Sequence, residues 1–429
     1  MRVAFVTPRY GPEVVGGAES GARQLAEHLV TSSGWEAEVF TTCALDHLSW
    51  ADELAPGDVR LGGVDVHRFP TDRPRDPEGL VLDGRFRADP SSATLEASRR
   101  WVALNGPVST GLVDAVAASD ADVVVFYPYL YHPTVAAIAR TPAPAVLHPA
   151  AHDEPALYLP VFDETFAAAD AFVFHTMAER RLVQGVHPVA GRPQLLLPLG
   201  VADPPPARRP GAEVLGLGDR PYLVSVGRVD EHKGSVMLAA FFATYKQRHP
   251  GPLALALVGP VSAAVPAHPD VVVTGIVSEQ DKYDVLRDAV VSVAPSPLEA
   301  FCMVVPESWT VGVPVVVNAH CAATTEQCRR AGGGLWFGSY RQFEAVVDRL
   351  LADARLRSGL AASGRAYVEA NYRWELLSTR YARFLEEVAA RGRRPRPPAR
   401  GDVRSRPSPR SVGSAAGRPS SRGTGRRRS

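Results

Sequence analysis

Lysine is nearly absent from this chain: Lys233, Lys246 and Lys282 stand against 44 arginines, so each retained lysine is a position to examine. Cysteine is almost as scarce. Cys43, Cys302, Cys321 and Cys328 form no CxxC pair, which excludes a disulfide framework and a zinc signature. No apolar run approaches the ~20 residues that a membrane-crossing helix needs. The opening MRVAFVTPRY reads as a buried strand, since its apolar run is far too short for a signal peptide. The fingerprint GxGxxG is missing, and Gly16-Gly17 comes late in a ten-residue loop. That sets aside a dinucleotide-dependent dehydrogenase. These absences lead to the expectation of a reduced, cytoplasmic protein.

What is present suits a globular chain: 429 residues, 45% hydrophobic and 22% charged, are enough for two domains with additions. The net charge of +1 conceals an asymmetry. From Arg391 onward there are 13 Arg and one Asp, +12 in all, which leaves the body at −11. Apolar residues nearly vanish there, so 391–429 is expected to be a disordered Arg-rich tail. Without interleaved aromatics it offers nonspecific anion affinity and no specific nucleic-acid site, and an anionic membrane surface is the partner it suits.

Residues 1–200 alternate apolar runs with helical patterns, the start of a doubly wound sheet. Strands are expected at Val3–Thr7, Glu38–Thr42, Val64–Phe69, Val123–Phe126, Ala145–Leu147, Ala171–His175 and Gln194–Leu197. A helix follows Gly16-Gly17, and these glycines allow backbone N–H groups to approach an anion at its start. Thr71–Ser98 reads as a long loop with one short helix. Tyr127, Tyr129 and Tyr131 alternate beyond their strand, able to stack on sugar faces or to cover the sheet edge. His152, Asp153 and Glu154 lie in a polar loop after a strand, but one such loop rarely supplies a full metal-ligand set.

The proline-rich stretch 201–220 reads as a linker. A second strand–helix alternation occupies 221–372, and 373–390 carries a helical stripe of Leu377, Tyr381, Phe384, Leu385 and Val388. Two constellations stand out in this half. After the strand beginning at Tyr222, Gly227 permits a sharp turn. Arg228 and Lys233 then place a forked cation and a point charge beside the helix start at Gly234. Farther on, VSVAPSPLEAFCMVVPESWTVGVPVVVN reads as strand, loop, helix begun near Phe301, turn and strand. It brings the carboxylates of Glu299 and Glu307 toward one crevice at the carboxyl end of a buried strand, where open α/β sheets place ligands. The N–H groups of Phe301, Cys302 and Met303 can face an anion there.

Gly227-Arg228…Lys233-Gly234 followed by Glu299-(seven residues)-Glu307 and Gly312-Val313-Pro314-Val315 resembles the retaining glycosyltransferases of family four. The resemblance spans roughly residues 1–390. It implies a GT-B fold: two Rossmann-like doubly wound domains facing across a cleft, with a C-terminal helix crossing back to the first. It also implies a sugar moved from a nucleotide-diphosphate donor, a co-substrate with no cofactor besides, to a glycan, lipid-linked or small-molecule acceptor. Carried over by position, Arg228 and Lys233 bind the diphosphate, Glu299 the transferred sugar, and Glu307 the ribose. His152 faces the transfer centre, and Gly16-Gly17 closes over phosphate or acceptor. Gly275, Ile276 and Val277 wrap the base, while Gly227, Ala300, Phe301, Cys302, Met303 and Val304 complete the donor wall. Glu19, Tyr129, Asp153 and Glu154 fall to the acceptor side.

Two departures from the family pattern are visible. Cys302 stands where the family usually has Gly, and Leu199-Gly200-Val201-Ala202 replaces the common N-x-G-V-D. No DxD-like metal site occurs in a suitable loop, so metal-independent transfer is expected, with cations neutralising the leaving diphosphate. Other readings are a GT-B epimerase or phosphorylase and a non-catalytic nucleotide-sugar or glycan binder. Peripheral placement at the inner face of a membrane, through the tail, is a further expectation.

Overall fold

A computed structural model describes residues 1–14 and 16–393. Its strands are β1 (Arg2–Val6), β2 (Glu36–Thr42), β3 (Gly57–Leu61), β4 (Val64–Phe69), β5 (Val123–Phe126), β6 (Ala145–Leu147), β7 (Ala171–Phe174) and β8 (Gln194–Leu196) in the first half. Then come β9 (Tyr222–Val226), β10 (Ala254–Val258), β11 (Val271–Gly275), β12 (Val291–Ala294), β13 (Val315–Asn318) and β14 (Gly334–Phe337). They build two sheets, ordered β3-β4-β2-β1-β5-β6-β7-β8 and β11-β10-β9-β12-β13-β14. All pairings are parallel except β3 with β4.

Parallel sheets carry helices on both faces, so their strands must be apolar throughout. β5, with the sequence VVVF, is buried at every position. Its alternation is still visible in the packing. Val123 and Val125 join Val3 and Phe5 on the face covered by the helix Gly17–Ser33, while Val124 and Phe126 join Ala4 and Val6 on the other. Strand order reverses between β1 and β5 and between β9 and β12. Each reversal opens a crevice at the carboxyl ends of the strands.

The helix Trp374–Arg391 returns to the first domain, burying Leu377, Tyr381, Phe384, Leu385 and Val388 as the stripe predicts. The Trp374 indole stacks on His28 of Gly17–Ser33 at 4.1 Å between ring centroids. Gly200 makes this crossing possible: a Cβ there would lie 2.3 Å from the Trp374 ring. Arg393 then donates to the carbonyls of Ile138 and Ala143, both at 2.8 Å. Arg393, counted in the expected tail, is therefore docked on the first domain, and 394–429 lies outside the described residues.

Three local expectations are corrected. Thr71–Ser98 holds the helix Pro77–Ala88 and the start of Leu95–Asn105, with Asp76 and Thr94 as side-chain N-caps. The tyrosine row does not prolong β5, since the chain leaves the sheet at Tyr127-Pro128 and buries Tyr127 and Tyr129. β3, which pairs with β4 as a hairpin across Gly62-Gly63, is an added edge strand. The stretch 201–220 is also less free than a plain linker. The Gly211 N–H donates to Asp288, and Arg287 donates to the Pro205 carbonyl, both at 2.7 Å.

Candidate functional site

On the second domain the site grows from the β9–β12 crevice. Past β9 the chain turns at Gly227, whose carbonyl would be struck by any Cβ on Gly259. The buried Asp230 organises the turn between Gly227 and the next helix. One of its oxygens accepts from Arg228 Nε, and the other accepts the Lys233 backbone N–H at 2.6 Å. The Lys233 ammonium reaches 66 residues along the chain to Glu299, 2.6 Å away. Burial opposes the charge on this lysine, but Glu299 outweighs burial and leaves its pKa raised.

The loop 299–303 leads into the helix Val304–Thr310, a turn later than the start near Phe301 that the sequence suggests. Cys302 adopts φ 73°, in the left-handed region that favours glycine. A glycine would adopt this conformation freely, and this chain carries the strain of a side chain there. Glu307, from the helix, meets the ammonium of Lys282 at 3.1 Å.

On the first domain, β6 runs into a loop in which Ala150 has φ 51° and His152 points toward the cleft. A fully buried carboxylate holds this loop. Glu179 accepts from the Ala151 N–H at 2.9 Å and the His175 N–H at 2.7 Å, so one side chain ties together the ends of β6 and β7. The domains touch directly: the Thr176 hydroxyl donates to the Ala300 carbonyl at 3.2 Å, and the Met177 N–H to Glu326 at 3.0 Å.

Between the domains lies a cavity of about 380 Å³. Of the residues singled out from sequence, it gathers Gly17, Tyr127, His152, Gly227, Arg228, Lys233, Glu299, Ala300, Phe301, Cys302, Met303, Val304 and Glu307 on its wall. Others lie elsewhere. Gly16 abuts the buried ion pair of Arg9 with Glu19, which occupies the Glu19 carboxylate. Tyr129 is packed edge-on against Phe162 and donates to Glu154 at 2.9 Å; neither lines the cavity, and Glu154 stands 3.8 Å behind His152, which does. Asp153 accepts from the Tyr158 hydroxyl at 2.7 Å. Gly275, Ile276 and Val277 lie outside the cavity wall, and Ile276 is exposed. Sequence reasoning missed Lys282, His175, Ser225 and Ser235, all on the wall. Only Lys282 had a signal, the rarity of lysine. Among the described residues, no three His, Cys, Asp or Glu side chains gather as around a metal ion. Among them, no helix is long and apolar enough to cross a membrane.

Beneath the cavity sits a buried polar cluster that ties pH to stability. His175 Nδ1–H donates to the Leu197 carbonyl at 3.0 Å and Nε2 accepts from the Tyr127 hydroxyl at 2.7 Å, an arrangement suited to the neutral ring. Burial pulls its pKa from 6.5 to about 4. Burial likewise lowers His148, which meets Tyr381 of the crossing helix at 2.9 Å. For these depressed bases the stabilising contribution is whole above the unfolded value and lost as pH falls through the folded one. For His175 the loss is roughly 3 kcal/mol. Glu179 has the opposite sign: burial raises its pKa from 4.5 to about 8, against its backbone N–H donors. Its contribution is whole below 4.5 and lost as pH rises through 8. With two histidines gaining and one glutamate losing between roughly pH 4.5 and 6.5, the melting temperature should peak near pH 6.5. Glu179→Gln should flatten the alkaline limb. A melting temperature that climbs steadily as the buffer is acidified from pH 6.5 to 4.5 would contradict these assignments.

One family model and several solved structures are similar to this chain. Residues 212–367 match the family described as Glycosyl transferases group 1. The fold is similar to that of sucrose-phosphate synthase from Thermosynechococcus elongatus, at 19% identity and TM-score 0.67, over 91% of this chain and 99% of that one. It is also similar to Anabaena HepE, solved in complex with UDP and glucose, at 14% identity and TM-score 0.64, over 90% and 100%. A trehalose-6-phosphate synthase, OtsA, aligns at 14% identity and TM-score 0.67, over 90% and 99%. No curated protein matches by sequence. The architecture is GT-B, with the C-terminal helix packed back on the first domain.

Proposed function

We propose that this protein is a retaining, metal-independent glycosyltransferase that moves a sugar from a nucleotide-diphosphate donor to a glycan, lipid-linked or small-molecule acceptor. One observation carries the reading: Arg228, Lys233, Glu299 and Glu307 share one wall of the cleft, with His152 on the facing domain. Similar folds have been solved with UDP and glucose, or with UDP-2-fluoro glucose. In this reading the diphosphate lies against Arg228 and Lys233, the sugar hydroxyls against Glu299, and the ribose against Glu307. Breaking the anomeric C–O bond builds negative charge on the departing phosphate, which two fixed cations stabilise in a site partly closed to water. The acceptor oxygen bonds to the anomeric carbon on the same face. Its proton passes to the phosphate oxygen that has just left, and the nucleoside diphosphate is released.

Screening UDP-, GDP- and ADP-sugars by thermal shift, then assaying transfer with the donors that bind, tests the reading. Absence of both binding and donor turnover across that panel would refute it. Turnover should survive EDTA. Loss on chelation, restored by Mg²⁺ or Mn²⁺, would show that a metal neutralises the leaving group instead.

The basic tail is proposed to hold the enzyme at an anionic surface, where each Lys or Arg contributes about 1 kcal/mol at low salt. Because Arg393 is docked on the first domain, the informative truncation removes 394–429. Turnover on a soluble acceptor should be unchanged, and salt-sensitive binding to phosphatidylserine vesicles should be lost. Equal vesicle binding by both forms would end the membrane reading.

A further inference from the structure

Two of the chain's three lysines, Lys233 and Lys282, line the cleft. The third serves the fold, with the Lys246 ammonium donating to the Leu253 carbonyl at 3.0 Å and pairing with Asp270 at 3.2 Å. Lys282 belongs to neither constellation on which the family resemblance rests. It sits in the helix Glu279–Asp288, which follows β11, and its side chain is 16% exposed. Its ammonium lies between Glu279 at 2.7 Å and Glu307 at 3.1 Å, and over the Tyr283 ring at 4.6 Å. Glu307 is itself only 15% exposed, and Lys282 is the cation paired with it. Lys282 contacts Oε1, and among the described residues Glu307 Oε2 makes no hydrogen bond.

We propose that Lys282 is a positioning residue for donor binding: it holds Glu307 turned so that Oε2 accepts from the nucleotide's ribose hydroxyls. The inference rests on the donor reading of this cleft. Charge supports it. Three carboxylates stand in or beside the donor wall, those of Glu279, Glu299 and Glu307, and an incoming diphosphate adds more negative charge. Arg228 and Lys233 are each already engaged by a carboxylate. Lys282 offsets the acidic end at which no diphosphate cation stands. Held by carboxylates on two elements, its ammonium gives Glu307 one orientation. Burial works against the charge on Lys282, yet Glu307 and Glu279 leave it firmly protonated.

The test uses the full chain, with UDP as the probe in calorimetry and UDP-glucose in rate assays. Lys282→Met keeps the length of the stem and removes the charge. It should weaken UDP binding and raise the donor KM by about 10- to 100-fold, with kcat changed by less than about threefold because Lys282 does not touch the reacting centre. Lys282→Arg should restore most of the affinity. The double variant K282M/E307Q should bind UDP no more weakly than E307Q alone, because the lysine acts through the glutamate. An unchanged donor KM in K282M, or penalties that multiply in the double variant, would overturn the role. Equal loss of kcat with KM unchanged would do the same. The reading beneath it fails separately: a wild-type chain that binds none of UDP, GDP or ADP refutes the donor site and the inference with it.

Discussion

Replacing Arg228 or Lys233 by Ala should lower turnover about a hundredfold each, the cost of roughly 3 kcal/mol for one preorganised charge at a developing oxyanion. The two cations act on one leaving group, so their effects need not add. The double variant should fall between about a hundredfold and about ten-thousandfold below wild type. Lys233→Ala carries a second consequence. Its ammonium is bonded to Glu299 at 2.6 Å, so the variant leaves that carboxylate without its cation, and donor KM should rise together with the loss in kcat. Arg228 is tied to Asp230, two residues away, so its removal should act mainly on kcat. Arg228 is partly exposed, so its variant should move the melting temperature little, whereas Lys233→Ala should cost more because Glu299, 15% exposed, loses its partner. Single-turnover assays with a bound donor would separate these effects. A double variant that retains more than about a tenth of wild-type turnover would show that the diphosphate lies elsewhere.

The second large effect concerns the backbone beneath those charges. Gly234 has φ 75°, and a Cβ there would stand 2.5 Å from the Pro295 carbonyl oxygen and 2.9 Å from its carbon. That carbonyl is pinned, since it also accepts from the Asn318 side chain at 2.8 Å. Gly234→Val therefore combines left-handed strain with displacement of a fixed backbone, costing on the order of 3 kcal/mol. The melting temperature should drop by about 4 °C. Activity should fall further than stability, because Lys233 precedes the glycine and Pro295 leads into the loop that carries Glu299. Gly312→Ala is the matched control: φ is 79°, but nothing lies within 4 Å of the added Cβ. It should cost only about 1 kcal/mol. Equal melting temperatures for the two variants would mean that the clash with Pro295 is relieved in some other way.

Taken alone, the chain determined its two sheets and the neighbourhood of its site. Buried parallel strands are short, unbroken apolar runs such as VVVF and VSVA, and these mark themselves whatever they pack against. Gly227-Arg228, Lys233-Gly234 and the Glu299–Glu307 spacing were equally legible, because each sits at a strand end or helix start that local sequence defines. The tertiary structure decided the partners. Lys233 meets Glu299 because β9 lies beside β12 in the sheet, and Lys282 meets Glu307 because the helix Glu279–Asp288 carries the chain back from β11 to β12. Strand order is set by how whole helices cover whole faces, and it leaves no periodic trace at either residue. The same reason separates Tyr129 from the cleft: the helix Pro160–Ala168 closes over it with Phe162 and Phe166, and a row of tyrosines reads alike whether it faces a ligand or a core.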